Sequence, residues 1–264
     1  MRSRLTVALG RTARLAARVR GGGSGGTAFP GLVMERTDPG FLERTLGRLP
    51  RGVIVVSGTN GKTTTTKMVV QLLREQGLKV FTNRTGSNFV RGVLASLLTE
   101  VDAAGNLDAD IAVLELDEAH AVHFVARVRP RACLLLNVMR DQLDRFGEID
   151  YTASLLHSIA QATSDVVVLN GDDPRLAAPA FLEGVSARVV SFGAGEDLRS
   201  LFLSDDDLRT GLVSPRQAGQ APGPRVTLES IDGQRATVRV DGVSHEVDFA
   251  IPGVHNLLNA CAAL

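Results

Sequence analysis

Arg51-Gly52-Val53-Ile54-Val55-Val56-Ser57-Gly58-Thr59-Asn60-Gly61-Lys62-Thr63-Thr64-Thr65-Thr66 sets the fold class of this chain. Four β-branched residues in a row, 53–56, predict a strand covered on both faces. Gly58 and Gly61 allow close approach of the backbone and positive φ. A helix opens at the threonine run, where the first N–H groups and the helix dipole favour an anion. Lys62 can add a positive charge beside β- and γ-phosphates, and the Thr63 hydroxyl can ligate magnesium. The stretch reads as a phosphate-binding loop. It is shorter than the usual G-x-x-x-x-G-K-[ST], whose first glycine would fall at Val56. A polar strand-to-helix turn without a ligand is the ordinary alternative. Gly-Lys-Thr that follows a strand and opens a helix is what the phosphate mechanism requires.

The 264 residues suffice for one large domain or two small ones. Lys plus Arg is 29 and Asp plus Glu is 29, so no net charge points to nucleic acid as a partner. Tryptophan is absent and tyrosine occurs once, which argues against a base-stacking surface. Cys133 and Cys261 lie in apolar surroundings without CxxC spacing and read as reduced core residues of a cytoplasmic protein, with no metal site. No run of 18 apolar residues suggests a membrane span, and no signal-peptide pattern follows Arg2 and Arg4.

Residues 1–50 form a basic and glycine-rich lead. Arg2, Arg4, Arg11, Arg14, Arg18 and Arg20 lie among Leu, Val and Ala, as in a basic amphipathic helix. Two readings stand: a helix docked on the domain with its arginines in water, or contact with an anionic membrane surface. Residues 21–26 hold five glycines and read as a flexible link or a backbone contact surface. Asp38-Pro39 predicts a helix cap followed by proline at the first helical position, with Phe41, Leu42, Thr45 and Leu46 facing inward.

Beyond the loop, a helix to about Gln76 is predicted, with Met68, Leu72 and Leu73 inward and Gly77 as its stop. Strands follow at 78–81, 110–118, 132–138, 166–169 and 189–192, separated by helical stripes. That alternation predicts a mostly parallel, doubly wound α/β sheet. Polar loops at 82–88 and 139–148 fall at the ligand edge of such a sheet. Glu115 ends an apolar strand at the same edge, where a magnesium nucleotide finds hard oxygen ligands. Asn170-Gly171-Asp172-Asp173-Pro174 fits an ordinary turn. Residues 195–224 predict a loop, and short alternating runs separated by Asp232-Gly233 and Asp241-Gly242 predict a small antiparallel β meander. A last helix begins at 251–264 without a stop signal, as in a chain cut short.

Six stretches together resemble the Mur ligase family. They are Ser57 to Thr64, Asn83 with Gly86-Ser87-Asn88, Leu114-Glu115-Leu116-Asp117-Glu118-Ala119, Asn137 to Glu148, Asn170 to Pro174, and Ile251 to Ala260. Within that family, Asp141-Gln142-Leu143-Asp144-Arg145-Phe146-Gly147 is similar to the MurT branch, the ligase-like subunits of lipid II isoglutaminyl synthase. Amino-acid-adding ligases look to have His where Gln142 stands. The lack of a UDP-binding domain before residue 50, and the lead ending Phe29-Pro30-Gly31, agree with that branch.

The resemblance implies that residues 51–264 are a Mur ligase central ATP-binding domain. It implies ATP-dependent amidation of the D-glutamate α-carboxylate of the lipid II stem peptide through an acyl phosphate, with ammonia from a GatD-type glutaminase subunit, in the cytoplasm or peripherally at the inner face of the membrane. Gly58, Thr59, Asn60, Gly61, Lys62, Thr63, Thr64, Asn256 and Asn259 would hold ATP. Thr63, Glu115 and Gln142 would hold Mg2+, and Lys62 and Glu115 would be catalytic. Three departures follow from the same comparison. No lysine stands near His157, where the family's carbamoylated lysine would fall. Residues 195–224 contain no cysteine, so no zinc is expected. The family's C-terminal ligase domain is expected to begin where this chain ends. A folylpolyglutamate-type ligase and a non-catalytic nucleotide-binding scaffold for a glutaminase are the alternatives.

Overall fold

The computed structural model describes residues 2–20, 28–83, 86–140, 148–211 and 221–264. Three helices lead in: α1 (Arg2–Arg20), α2 (Ala28–Thr37) and α3 (Phe41–Leu46). Then follow β1 (Val53–Ser57), α4 (Lys62–Glu75), β2 (Val80–Thr82), α5 (Val90–Glu100), β3 (Ile111–Glu115), α6 (Glu118–Val125) and β4 (Ala132–Leu135). Next come α7 (Glu148–Ala162), β5 (Val166–Asn170), α8 (Pro179–Leu182), β6 (Arg188–Ala194) and α9 (Asp205–Thr210). The chain closes with β7 (Val226–Asp232), β8 (Arg235–Val240), β9 (Val243–Asp248) and α10 (Val254–Ala263).

The nine strands among the described residues join one sheet, in the order β2-β3-β1-β4-β5-β6-β7-β8-β9. β2 to β7 pair in parallel, and β7-β8-β9 are antiparallel. The predicted α/β architecture and the meander are both present. The meander is not a separate unit, because β7 pairs with β6 and carries the sheet onward. Its second turn has positive φ at both Asp241 (50°) and Gly242 (86°), which suits a two-residue hairpin.

Strand parity divides the core in two. Val53 and Val55, Ala112 and Leu114, Cys133 and Leu135, and Val167 and Leu169 point to one face, under α1, α2, α3, α5, α6 and α7. Val56, Ile111, Val113, Leu134 and Leu136 point to the other, under α4 and α10. Both cysteines are buried, as expected, Cys133 on the first face and Cys261 on the second. Phe41, Leu42, Thr45 and Leu46 are the buried face of α3, as predicted.

Several local expectations are corrected. Asp38 does not cap α3: the helix starts at Phe41 after Gly40, and the Asp38 carboxylate instead pairs with the Arg44 guanidinium. α4 turns Thr65, Thr66, Val69 and Val70 inward, while Leu72 is 36% exposed. Gly77, at φ 83°, does end the helix. The 195–224 region is not all loop. A 3-10 helix covers Glu196–Leu201 and α9 follows. Ser204 and Asp207 form a capping box on α9. Its acid run sits in the first turn, where the dipole favours it, and Asp205 and Asp206 pair with Arg140 and Arg175. Residues 212–220 lie outside the described residues.

The Asn170 to Pro174 segment is more than a turn. Asp173, buried, accepts N–H bonds from Val138 (2.7 Å), Arg175 (2.9 Å) and Leu176 (3.2 Å), and so ties the loop after β5 to the loop after β4. Burial pushes its carboxyl up to about 6, against those N–H donors and the nearby Arg175 charge, which favour the ionised form.

Two predictions follow from this packing. The folded chain takes up a proton at Asp173 near pH 6 and the unfolded chain near pH 4. Its contribution to stability is therefore full below pH 4 and is lost as pH rises through 6. The stability of wild type relative to Asp173→Asn should fall by about 2 kcal/mol between pH 4 and pH 7 in urea titrations; a pH-independent difference would show that the carboxyl titrates alike in the folded and the unfolded chain. In α2, a Cβ at Gly31 would stand 2.0 Å from the Arg91 carbonyl oxygen of α5. Gly31→Ala should cost about 2 kcal/mol through forced separation of α2 and α5, and an unchanged denaturation midpoint would contradict that contact.

Candidate functional site

The loop from β1 to α4 is shaped by two glycines and one asparagine. At Gly58 (φ 130°) a Cβ would meet the Leu136 and Asn137 nitrogens at 3.0 Å, so the loop can lie against the end of β4 only with glycine there. Gly61, at φ 85°, caps α4 in the left-handed region. Asn137 grips the turn between them. Its carbonyl accepts from the Thr59 N–H (3.0 Å), its Oδ1 accepts from the Asn60 N–H (2.8 Å), and its Nδ2 donates to the Asn60 carbonyl (3.1 Å). The Thr59 hydroxyl accepts from the Met139 N–H at 3.0 Å. Thr59 and Asn60 thus spend their amides on the shape of the loop. Thr65 is the first residue to close on Gly61, at 3.0 Å, so the Lys62, Thr63 and Thr64 N–H groups open the helix without helical acceptors and can face an anion.

Parity brings Glu115 to this loop. It follows Ile111 and Val113 on the α4 face of β3, and it is 5% exposed. Its Oε1 accepts from the Thr63 hydroxyl at 2.8 Å and from Asn88 Nδ2 at 2.9 Å. Asn83 fixes its backbone on both sides: Nδ2 donates to the Glu115 carbonyl (2.8 Å) and Oδ1 accepts from the Glu115 N–H (2.9 Å). Asn83 also donates to the Ser87 carbonyl at 3.0 Å, which ties the end of β2 to the residues before α5.

The Lys62 ammonium donates to the Gly58 and Thr59 carbonyls at 2.6 and 3.2 Å. It lies 3.5 Å from Asp117 and 3.8 Å from Glu118, at the start of α6. One cation is therefore surrounded by carbonyls and carboxylates at the mouth of the loop.

The donors for magnesium are hard oxygens, the Thr63 hydroxyl and the Glu115 carboxylate, which are within hydrogen-bond distance of each other. Among the described residues no group of three or more His, Cys, Asp or Glu gathers. A hydroxyl with a single carboxylate fits Mg2+, which takes the rest of its shell from water and phosphate. Gln142, the third expected ligand, lies outside the described residues.

α10 packs on α4 from the far end of the chain. Asn259 abuts the loop so closely that a Cβ on Gly61 would stand 2.7 Å from its Nδ2. Asn256 lies one turn earlier and donates to the Pro252 carbonyl at 2.7 Å, and His255 packs edge-on against Phe202 at 5.8 Å. His157, beside which no lysine stands, is occupied on α7 by the Glu183 carbonyl (2.8 Å) and by Phe181. Sequence reasoning assigned no part to Asn137, Asn83, Asn88, Asp117 or Glu118. Their signals were position, in polar segments that follow apolar strands, and membership of the stretches that resemble the Mur ligase family.

The Mur ligase middle domain family matches residues 56–264. The lipid II isoglutaminyl synthase (glutamine-hydrolyzing) subunit MurT of Streptococcus pneumoniae is 37% identical over 150 residues, 56% of this chain and 33% of that protein. The UDP-N-acetylmuramoylalanine–D-glutamate ligase of Burkholderia vietnamiensis is 33% identical over 228 residues, 83% of this chain and 43% of that one. Among solved structures, the MurF ligase from Thermotoga maritima in complex with ADP has the same fold, with a TM-score of 0.63, 21% identity, and 86% of this chain and 47% of that one covered. The chain spans about a third of the MurT subunits that it matches. On the family match across most of its length, this chain belongs to the Mur ligase family and carries that family's middle domain.

Proposed function

We propose that this chain is the ATP-binding part of a MurT-type amidoligase subunit in peptidoglycan synthesis. The observation that carries the reading is the apposition of Thr63 and Glu115, 2.8 Å apart, beside helix-start amides that have no helical acceptor. In this reading the Lys62, Thr63 and Thr64 amides and the Lys62 ammonium bind the ATP phosphates, and Asn256 and Asn259 line the path toward the adenine. Thr63 and Glu115, with Gln142, would hold Mg2+, which when bound neutralises charge on the transferring phosphoryl group. The D-glutamate α-carboxylate of lipid II attacks the γ-phosphorus, ADP leaves, and an acyl phosphate forms. Ammonia from a GatD-type glutaminase subunit then attacks the acyl carbon, loses a proton, and expels phosphate to leave the amide. The substrate places the work at the cytoplasmic face of the membrane.

A second reading, an amino-acid-adding ligase, is favoured by the similarity to D-glutamate ligases over four fifths of the chain. ATP hydrolysis measured with lipid II and the glutaminase separates the two. Stimulation by ammonia supports the first, stimulation by an amino acid the second, and ATP binding without turnover a scaffold.

Two substitutions test the site itself. Lys62→Ala should weaken MgATP binding about 10- to 100-fold by calorimetry; unchanged affinity would remove the phosphates from this loop. Glu115→Gln retains an acceptor for Thr63 and removes the charge, so ATP affinity should lose its dependence on Mg2+. A persisting Mg2+ dependence would place the metal elsewhere.

A further inference from the structure

α1 has two apolar faces. Thr6, Val7, Gly10 and Ala13 form the buried one, against α2 and α5. Gly10 permits the close crossing, since a Cβ there would meet Leu98 at 2.9 Å and Met34 at 3.0 Å. A helix docked by one stripe normally turns polar residues to water. Here Leu5 (59% exposed), Leu9 (39%), Leu15 (64%) and Val19 (82%) face outward. At about 100° per residue these four fall within an arc of about 120°. Ala8, Ala16 and Thr12, also exposed, lie within the same arc, and the Thr12 hydroxyl is turned back onto the Leu9 carbonyl at 2.8 Å.

Charge frames the stripe. α1 holds six arginines and no acid. Arg2 borders one side of the arc and Arg4 and Arg11 the other, and all three are exposed. Arg2 and Arg4 form no ion pair among the described residues, and Arg11 donates to the Val101 carbonyl. No helix among the described residues is long and apolar enough to cross a membrane.

We propose that the outer face of α1 lies on an anionic lipid surface, with Leu5, Leu9, Leu15 and Val19 in the acyl boundary and the bordering arginines at the headgroups. Apolar residues flanked by arginine, with no acid, match a surface that is oily below and negative above. A second copy of the chain would meet this face with arginine against arginine, so charge opposes that occupant. The inference stands on α1 and does not depend on the ligase reading.

The chain has no tryptophan, so Val19→Trp installs a single reporter at the most exposed position of the stripe. With vesicles of phosphatidylglycerol and phosphatidylcholine, without nucleotide or lipid II, its emission should shift to the blue, and with phosphatidylcholine alone it should not. In flotation with the same vesicles, Leu15→Glu/Val19→Glu and Arg2→Glu/Arg4→Glu should each bind at least tenfold more weakly than wild type, with unchanged circular dichroism and melting. High salt should also release the wild type. An unshifted Val19→Trp spectrum on anionic vesicles, or equal flotation of the Leu15→Glu/Val19→Glu variant, would overturn the proposal. So would wild-type self-association in solution that this variant abolishes while vesicle binding is absent, which would assign the face to a second copy. Capture of a protein partner through the face without lipid binding would overturn it equally.

Discussion

The hydrogen bond from Thr63 to Glu115 joins two crossovers of the sheet at one point. Thr63 comes from the first turn after β1 and Glu115 from the end of β3, and these strands pair in register, Val56 beside Glu115. The bond therefore depends on strand pairing, on the parity that sends Glu115 to the α4 face, and on the short loop that starts α4 immediately over it. A one-residue slip of β3 would send Glu115 to the opposite face, into the helices around α5 and α6. Both faces of β3 are apolar, Ala112 and Leu114 on one and Ile111 and Val113 on the other, so what opposes the slip is the cost of burying the Glu115 carboxylate among the apolar side chains of the opposite face. Core packing and the polar site are held by the same register.

Three asparagines turn that register into a rigid site. Asn83 bonds the Glu115 backbone in both directions, Asn88 bonds the carboxylate, and Asn137 holds the turn of the loop. An amide side chain donates and accepts at once, so Asn83 and Asn137 each satisfy two backbone groups without adding charge, while Asn88 donates to the carboxylate and its Oδ1 is buried without a partner among the described residues. The charges that do gather, Asp117 and Glu118, approach Lys62, where a polyphosphate would compete with them.

Much of this was legible in the residues. The β-branched run at 53–56, glycines at two turning points and Gly-Lys-Thr at a helix start locate β1, the loop and α4. Glu115 was legible because it ends an apolar strand at the ligand edge of the sheet, where a magnesium nucleotide finds hard oxygen ligands. Of the residues expected on the inward face of α4, Leu73 packs against the second core and Met68 is half-buried, but Leu72 is exposed and the helix buries Val69 and Val70. The parts played by Asn83, Asn88 and Asn137 depend on neighbours 27 to 77 residues away, a range that local pattern does not reach. Asp173 resembled a turn residue because its first effect is local. Its bond to Val138 spans 35 residues. The 3-10 helix and α9 were hidden by polarity, since their stability comes from a cap and ion pairs more than from an apolar stripe.

The contact between Asn259 and Gly61 gives α10 a notch to fit. Gly61 leaves space for one amide group and no more. α10 rises about 1.5 Å per residue, so sliding it by a single residue would exchange Asn259 for Leu258 or Ala260, with a side chain turned by about 100°. Neither replacement offers an amide to the loop. The position of the last helix along the sheet is thus keyed to the loop that opens α4 on the same face, and a displacement of either is felt sterically by the other across their direct contact.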